Sequence, residues 1–456
     1  MHNIDIEVVE MALDVIKYAI GRVTSTDPKL GFPRKAEELE ALVGETITPT
    51  GIGGERAFAI FRDVLVNSSV SIDHPRHLAF VPAAPTRAAI MFDLVASASS
   101  IHGAYWMEGA GGIFAENQAM KWLVSLTGMP DGAFGVFTSG GTSANLSAMV
   151  AAREAWRDRD ENNRGRRGIV ITSDAAHSSV KAMAKIIDAD VRRIETEGRF
   201  EGEELRAAIN TLTPENRERL FAVIATAGTT NAGIIDDLSG IGAICRSESV
   251  WFHVDAAYGG GALAAPSVRH LFMGIENADS VTIDPHKWLF SPYDCGAVIY
   301  REPELARRAH SQEGAYLDIV KGETDGFNPS DYQIQLTRRL RGLPLWFSLA
   351  MHGTDRYAVA IERGIELAHI AARLIAEHPN VDLACEPGLS CVLFRRNGWD
   401  PDDYTNWTYA NHKKGFALVT PTKWKNGTQY ETVARFCFIN PDTTEKDISD
   451  ILATME

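Results

Sequence analysis

Short apolar runs alternate with segments of helical periodicity through the middle of the chain, from residue 135 to residue 300. The runs predict β-strands at 169–172, 221–226, 251–255, 281–284 and 296–300, with a further strand-like run at 135–137. The segments between them predict helices at about 142–157, 178–188, 203–210 and 238–247. This alternation is typical of a mostly parallel sheet with helices on both faces, so we predict an α/β fold.

The two ends of the chain follow other patterns. Apolar residues at helical spacing predict a helix at 4–21, closed by Gly21, and a second helix at about 34–43. Later in the chain we predict a long helix at about 345–376, broken near Gly353, strands at 391–395, 416–420 and 433–439, and a final helix from Glu445. The predicted domains are an N-terminal helical segment at 1–75, a large α/β domain at 76–340 and a small α+β domain at 341–456.

Composition narrows the classes of function. The chain of 456 residues carries a formal net charge of −15, which argues against a nucleic acid partner because phosphate binding requires a basic surface. No apolar run approaches the roughly 20 residues of a membrane span, and no basic region precedes an apolar core at the N-terminus. We therefore expect neither a membrane segment nor a signal peptide. The five cysteines form no CxxC pair, which favours reduced thiols in a cytoplasmic enzyme over a disulfide framework or a metal site.

One lysine lies at the exit of a predicted buried strand. The segment SVTIDPHKW at 280–288 runs from β-branched residues through Pro285, which ends the strand, to Lys287 and an apolar wall. Apolar surroundings desolvate an amine and favour its neutral form, which can attack a carbonyl and form a Schiff base. For a single lysine considered alone, an ordinary surface position at a strand end is the commoner explanation.

Two upstream segments favour the chemical explanation. Asp255 ends a predicted buried strand, where a carboxylate needs a cationic partner such as the protonated pyridine nitrogen of pyridoxal phosphate (PLP). The sequence TSGGTSAN at 138–145 follows a strand and opens a helix, where backbone N–H groups and the helix dipole favour a phosphate. A phosphate site, a partner for a pyridinium and a Schiff-base lysine thus follow one another along the chain.

These segments resemble a known family. The sequences DAAHSS at 174–179, DAAY at 255–258 and DPHKW at 284–288 are similar to signatures of the group II PLP-dependent amino acid decarboxylases, which include aromatic-L-amino-acid and glutamate decarboxylases. The resemblance extends from the N-terminal segment to near the C-terminus. It implies the PLP-dependent transferase-like fold (fold type I) with a sheet of the seven-stranded type, and α-decarboxylation of an L-amino acid. It also implies a homodimer with shared active sites, in which the N-terminal segment forms part of the dimer contact.

The resemblance implies a role for each matching position. The catalytic residues would be Lys287, which would hold PLP covalently, Asp255, which would face the pyridine nitrogen, and His177, which would stack on the ring. The implied cofactor-binding residues are Gly141, Thr142, His177, Thr226, Asp255, Ala257, Asp284, His286, Lys287 and Gly353, the last reaching the partner subunit's phosphate. The implied substrate pocket contains Phe80, Val81, Pro82 and Trp106.

The predicted lid departs from the family pattern. The polar, glycine-rich segment 307–330 is typical of a mobile lid. Alignment with the family places Pro329 where a proton-donating tyrosine is expected, and Tyr316, Phe327 and Tyr332 do not match that position cleanly. An oxidative reaction that releases an aldehyde is therefore an alternative to amine formation, as are transamination and Cα–Cβ cleavage.

The predicted substrate pocket departs as well. Ile72, Val81 and Ala104 replace the aromatic residues of the family's ring pocket, and Ala83 replaces a hydroxyl residue. Loss of aromatic partners removes stacking of roughly 0.5–1.5 kcal/mol per pair, which weakens the case for a catechol-sized ring. The amino acid substrate is left open. A PLP-free binding protein is the alternative from another class, and the intact lysine, aspartate and histidine argue against it.

Overall fold

The structure is a computed structural model that describes residues 6–26, 28–312, 326–427 and 429–455. Its largest sheet has seven strands: β1 (Phe134–Thr138), β2 (Ile169–Ser173), β3 (Asp190–Ile194), β4 (Leu220–Thr226), β5 (Trp251–Asp255), β6 (Ser280–Ile283) and β7 (Gly296–Tyr300). They lie in the order β1-β7-β6-β5-β4-β2-β3. Strand β7 is antiparallel to both of its neighbours, and the other pairs are parallel. The predicted α/β fold is confirmed.

The N-terminal segment is helical, as predicted, with altered bounds. It contains α1 (Ile6–Thr24), α2 (Ala36–Val43) and α3 (Gly54–Ile60), followed by a π-helical turn and a 3-10 turn that end at Ser68. The predicted end of the first helix at Gly21 is wrong. A helical glycine costs only about 1 kcal/mol relative to alanine. The turn beyond Gly21 is also held by Arg22, which bonds to Asp73 at 2.6 Å, and by Thr24, whose hydroxyl donates to the Ile20 carbonyl.

Helices cover both faces of the large sheet. The helices of this part of the chain are α4 (Arg87–Ala98), α5 (Trp106–Thr127), α6 (Gly141–Arg159), α7 (Ser179–Ile186), α8 (Gly202–Asn210), α9 (Pro214–Arg219), α10 (Leu238–Glu248) and α11 (Pro303–His310). Alternate side chains of each central strand enter two separate apolar layers. One layer packs Val223 and Val254 against α5, α8 and α10, and the other packs Ala222 and Trp251 against α6 and α7.

The C-terminal part forms a small α+β layer. Its helices are α12 (Leu343–His352), α13 (Thr354–Ala376), α14 (Pro401–Lys413) and α15 (Glu445–Leu452). Its strands β8 (Val381–Leu383), β9 (Cys391–Arg396), β10 (Thr420–Asn426) and β11 (Gln429–Cys437) form an antiparallel sheet. The predicted break at Gly353 is confirmed. The predicted strand at 416–420 is wrong because the strand begins at Thr420, and Leu418 pairs with His77 instead.

A buried ion pair joins α5 to the segment that leads into α12. Arg338 Nη2 bonds to both carboxylate oxygens of Glu116, at 2.9 and 2.8 Å, and the two side chains are 0% and 3% exposed. Arg338 Nη1 also donates to the Gly103 carbonyl, and the Gly342 N–H donates to Glu116. Burial raises the pKa of Glu116, whereas Arg338 and Gly342 lower it. The carboxylate therefore depends on this arginine for compensation of its charge.

The substitution Arg338→Met should lower the free energy of unfolding by about 3–5 kcal/mol, because it leaves the Glu116 carboxylate buried without a cation. Urea denaturation followed by circular dichroism measures the loss. The matched control is Arg373→Met, whose partner Glu445 lies at 2.6 Å in a pair that is 50% and 52% exposed. This control should cost less than about 1 kcal/mol. Equal losses in the two variants would contradict the interpretation.

Candidate active site

The predicted site residues lie at one end of the strands of the large sheet, which is called the carboxyl edge below. The register pairs Thr226 at the end of β4 with Asp255 at the end of β5, and pairs Asp255 with Thr282 on β6. His177 follows β2 and Lys287 follows β6, so four neighbouring strands deliver side chains to the same edge. This is the carboxyl edge of the parallel strands, where α/β sheets bind their ligands.

Lys287 lies against an acidic residue. Its Nζ is 2.9 Å from Asp284 Oδ2, and the two side chains are 24% and 2% exposed. Burial lowers the pKa of Lys287, but Asp284, through its charge and its hydrogen bond, and then Asp255 raise it, and the net direction is upward. The predicted neutral amine is therefore wrong for this environment. The ammonium form is favoured because carboxylates outweigh the desolvation that the apolar wall causes.

Asp255 is buried, and each of its carboxylate oxygens accepts a hydrogen bond. It is 6% exposed. Its Oδ2 accepts a hydrogen bond from Asn145 Nδ2 at 2.9 Å, and its Oδ1 accepts one from the Ala257 N–H at 3.1 Å. These two hydrogen bonds fix the orientation of the carboxyl group. Sequence reasoning missed Asn145, although it closes the phosphate-loop motif, because its partner is 110 residues away in the chain.

Thr226 pairs with Asp255 on the neighbouring strand, and His177 follows β2, which is the next strand beyond β4. His177 is exposed, its Nδ1 accepts from the Ser179 N–H at 3.2 Å, and its Nε2 has no hydrogen bond to any residue that the structure describes. The backbone N–H of Thr226 donates to Asp236 Oδ2 at 2.7 Å. Burial raises the pKa of Asp236 to about 7. Sequence reasoning also missed Asp236, which holds the loop between itself and Thr226 closed.

The residues present fit PLP. The hydroxyl of Thr226 and Oδ1 of Asp284 are buried and have no hydrogen-bond partner within the described ranges. At Gly141 a Cβ would lie 2.8 Å from Asp284 Oδ2 and 3.1 Å from the Ala257 Cβ. A side chain at this position would therefore fill the space beside Asp284 and Ala257 that a cofactor could occupy. Helix α6 begins at Gly141 and has no side-chain cap, which leaves its first N–H groups for an anion, and the exposed Thr142 is in the same turn.

His286 has a fixed orientation next to Lys287. Its Nδ1 accepts from the Cys295 N–H at 3.0 Å, and its Nε2 is 3.7 Å from Asp284 Oδ2. Burial lowers the pKa of His286, which favours the neutral ring. The ring of Tyr293 lies 4.9 Å from the His286 ring, and sequence reasoning did not identify it. Tyr293 therefore adds a phenol hydroxyl close to the predicted Schiff-base lysine.

The residues of the predicted substrate pocket differ in how far they are buried within one chain. Phe80 is 64% exposed with φ of 56°, an uncommon conformation for a bulky residue, and its carbonyl accepts from Arg435. Val81 is half-buried and Pro82 is buried. Trp106 begins α5 and packs in an apolar cluster with Leu340.

The remaining predictions concern Gly353 and the predicted lid. Gly353 joins α12 to α13 with φ of 76°, and its predicted contact with a partner subunit stays a prediction. The rings of Phe327 and Tyr332 stack at 4.5 Å, and Phe327 contacts Phe134. Phe134 begins β1, at the opposite end of the strands from Lys287. Pro329 begins a buried 3-10 turn. Tyr316 lies outside the described residues.

Comparison with known proteins places these features in a family. The pyridoxal-dependent decarboxylase conserved domain matches residues 55–397. The chain is 32% identical over 428 residues to an aromatic-L-amino-acid decarboxylase of Bacillus atrophaeus, a match that covers 90% of this chain and 86% of that one.

Solved structures of the same fold cover nearly the whole chain. Oryza sativa TDC with PLP and tryptamine superposes with a TM-score of 0.90 at 22% identity, covering 100% of this chain and 99% of that one. Rhodiola rosea 4-hydroxyphenylacetaldehyde synthase gives 0.87 at 21% identity, covering 99% and 98%. The chain belongs to the pyridoxal-dependent decarboxylase family and is a PLP-dependent carboxy-lyase.

Proposed function

We propose that this enzyme removes the α-carboxylate of an L-amino acid as CO₂ and releases the corresponding amine, with Lys287 as the residue that holds PLP. The single observation that carries this proposal is the convergence of Lys287, Asp255 and the start of α6 at one sheet edge. These groups match the three parts of the cofactor: its carbonyl, its ring nitrogen and its phosphate. PLP, when bound, supplies the electron sink for the bond that breaks.

Each residue of the candidate site has its own task in this proposal. The α6 N-terminus at Gly141 and Thr142 binds the phosphate through backbone N–H groups. Asp255, held as a carboxylate by Asn145 and Ala257, stabilises a proton on the ring nitrogen. His177 lies on a neighbouring strand end, where its free Nε2 can orient the ring and the substrate carboxylate.

Lys287 and its neighbours control a proton. The ammonium must lose a proton before its nitrogen can react with a carbonyl. Asp284 holds Nζ at 2.9 Å until then, and the neutral ring of His286 adds no positive charge beside it. The residues of the site would select the bond that breaks by the way they orient the substrate against the cofactor. Positioning and electrostatics are therefore the protein's contribution.

An oxidative decarboxylation that yields an aldehyde is the second candidate, and a specific observation favours it. Pro329 occupies the position that alignment with the family gives to a proton-donating tyrosine, and it begins a buried turn. Phe327 and Tyr332 pack against each other next to β1. One structural relative is named as an aldehyde synthase. Another PLP reaction at Cα is the broader alternative on this scaffold.

We also propose a cytoplasmic homodimer with shared active sites and with the domain bounds 1–75, 76–340 and 341–456. The apolar side chains of α1 support the dimer, because seven of them are 40–79% exposed: Ile6, Val8, Val9, Leu13, Val15, Ile16 and Ile20. A surface of this kind typically marks an interaction site. The exposed Phe80 supports a pocket completed by the partner subunit. The five free cysteines support the location.

The substitution Lys287→Ala should leave a folded protein that holds PLP without a covalent bond. Activity should fall by at least about a thousandfold, the order seen when a covalent catalyst is removed. Borohydride reduction followed by peptide mapping locates the cofactor in the unmodified protein. Lys181→Ala on α7 is the control and should keep both the adduct and the activity. A reduced adduct on any lysine other than Lys287 would refute the assignment.

Sedimentation at micromolar concentration should give a dimer, because the α1 surface needs an apolar partner. The double substitution Leu13→Glu with Ile16→Glu places charges on this surface and should produce monomers with little activity. The control pair Glu37→Gln with Glu38→Gln changes charge on α2 without adding it to the apolar face. A fully active monomer of the unmodified chain would rule out shared active sites.

A panel of L-amino acids, assayed in parallel for CO₂, amine, aldehyde and hydrogen peroxide, separates the candidate reactions. We expect amine and CO₂ in equal amounts without peroxide. Peroxide released in step with aldehyde would instead support the oxidative reaction. If no member of the panel releases CO₂ by either route, the proposed decarboxylation is wrong and the PLP assignment alone stands.

A further inference from the structure

A chain of buried polar groups leads away from Asp255 into the sheet. Strand β5 would need only apolar residues to fill its two layers, yet His253 interrupts its run and is 0% exposed. Burying an imidazole is costly unless its nitrogens are hydrogen-bonded. Both nitrogens of His253 have partners, and those partners continue to other buried side chains.

The contacts form one continuous path. Trp251 Nε1 donates to Ser280 Oγ at 2.8 Å, and Ser280 Oγ is 2.8 Å from His253 Nδ1. His253 Nε2 is 3.0 Å from Asn145 Oδ1, and Asn145 Nδ2 donates to Asp255 Oδ2 at 2.9 Å. The register places His253 opposite Ser280 on the neighbouring strand. The path therefore rests on rigid strands and on α6.

The Asp255 end fixes the direction of these hydrogen bonds. The Asp255 carboxylate can only accept, so the Asn145 amide turns its NH₂ to Asp255 and its oxygen to His253. His253 therefore carries a proton on Nε2. At the far end Ser280 accepts from the Trp251 N–H and keeps a proton that it can donate to His253 Nδ1 when the ring is neutral.

The surroundings of His253 agree with that state. Burial lowers the pKa of His253 to about 4, against the effect of Asp255, so the ring is neutral near pH 7. A neutral imidazole with one donor and one acceptor is the only side chain in the path that can reverse its polarity by moving its proton. The Asn145 oxygen opposes this reversal because it can only accept, and the Ser280 hydroxyl stabilises the same tautomer by donating to Nδ1.

We propose that His253 is a positioning residue that acts through Asn145 to hold Asp255 as an oriented carboxylate for the cofactor's ring nitrogen. It rests on the role proposed for Asp255 and adds the device that keeps that role in place. Without His253, the Asn145 amide loses one of the two contacts that orient it, and only Asp255 still holds it. An amide held at one end can move away from Asp255, and the carboxylate then loses a donor. The ring nitrogen then holds its proton less firmly.

The test uses PLP labelled with ¹⁵N in the ring, bound to the whole protein and observed by NMR. In the unmodified protein the ring nitrogen should resonate as a protonated pyridinium. His253→Phe should shift the resonance toward that of neutral pyridine and weaken PLP binding at least about tenfold, the order expected for a lost hydrogen bond to a charged group. His253→Gln should lie between, since its amide can donate to Asn145 and accept from Ser280.

His310→Phe is the matched control, because His310 is 8% exposed and bonds only to the Ser147 carbonyl, at 3.0 Å, among the contacts of the described chain. It should leave the resonance and PLP affinity unchanged. If His253→Phe does not fold, Ser280→Ala makes the same test, because it removes the donor to Nδ1, and a smaller shift in the same direction is expected.

The outcomes separate the two proposals. A neutral ring nitrogen in the unmodified protein would overturn the role of Asp255 and this inference with it. A protonated nitrogen that stays unchanged in His253→Phe, or in Ser280→Ala if the first variant does not fold, would overturn the role of His253 and leave that of Asp255 standing. Equal shifts in His253→Phe and His310→Phe would show a general effect of disturbed packing and would also overturn it.

Discussion

The compensation of charge at the edge of an apolar sheet is the constraint on which the site depends. Lys287, Asp284 and Asp255 lie where strands with almost wholly buried side chains end. Each would be costly alone, and each is paired: the ammonium with Asp284, and Asp255 with Asn145 and the Ala257 N–H. The same edge holds the uncapped start of α6, which adds a partial positive charge.

Much of the fold was predictable because the central strands are buried on both faces. Strand β5 is buried from Trp251 to Asp255, and its predicted bounds match the structure. Strand β3 was missed because it lies at the sheet edge, where only part of each side chain is covered, and its sequence contains Arg192 and Arg193. The strand predicted at 416–420 was misplaced because Leu418 pairs with His77, a contact between distant parts of the chain, and the strand begins only at Thr420.

The site divides in the same way. Local sequence motifs predicted the positions of Lys287, Asp255 and the loop at 138–145. Each motif contains both the end of a strand and the residues that follow it. The charge of Lys287 was predicted wrongly because the sequence shows the adjacent apolar wall but not the distance to Asp284. Asn145, Asp236 and Tyr293 were missed because their importance arises only from contacts made by folding.

The parts of the molecule that are proposed to hold the cofactor differ physically from the parts that would select the substrate. The first are strand ends and a helix start, fixed by the register of the sheet and by buried hydrogen bonds. The second lie outside the sheet: the Phe80 carbonyl accepts from Arg435, Trp106 begins α5 and Pro329 begins a buried turn. None of these positions belongs to the strands whose pairing fixes the site residues. The chemistry common to the family can thus persist at the strand ends while substrate and product change through residues outside the sheet.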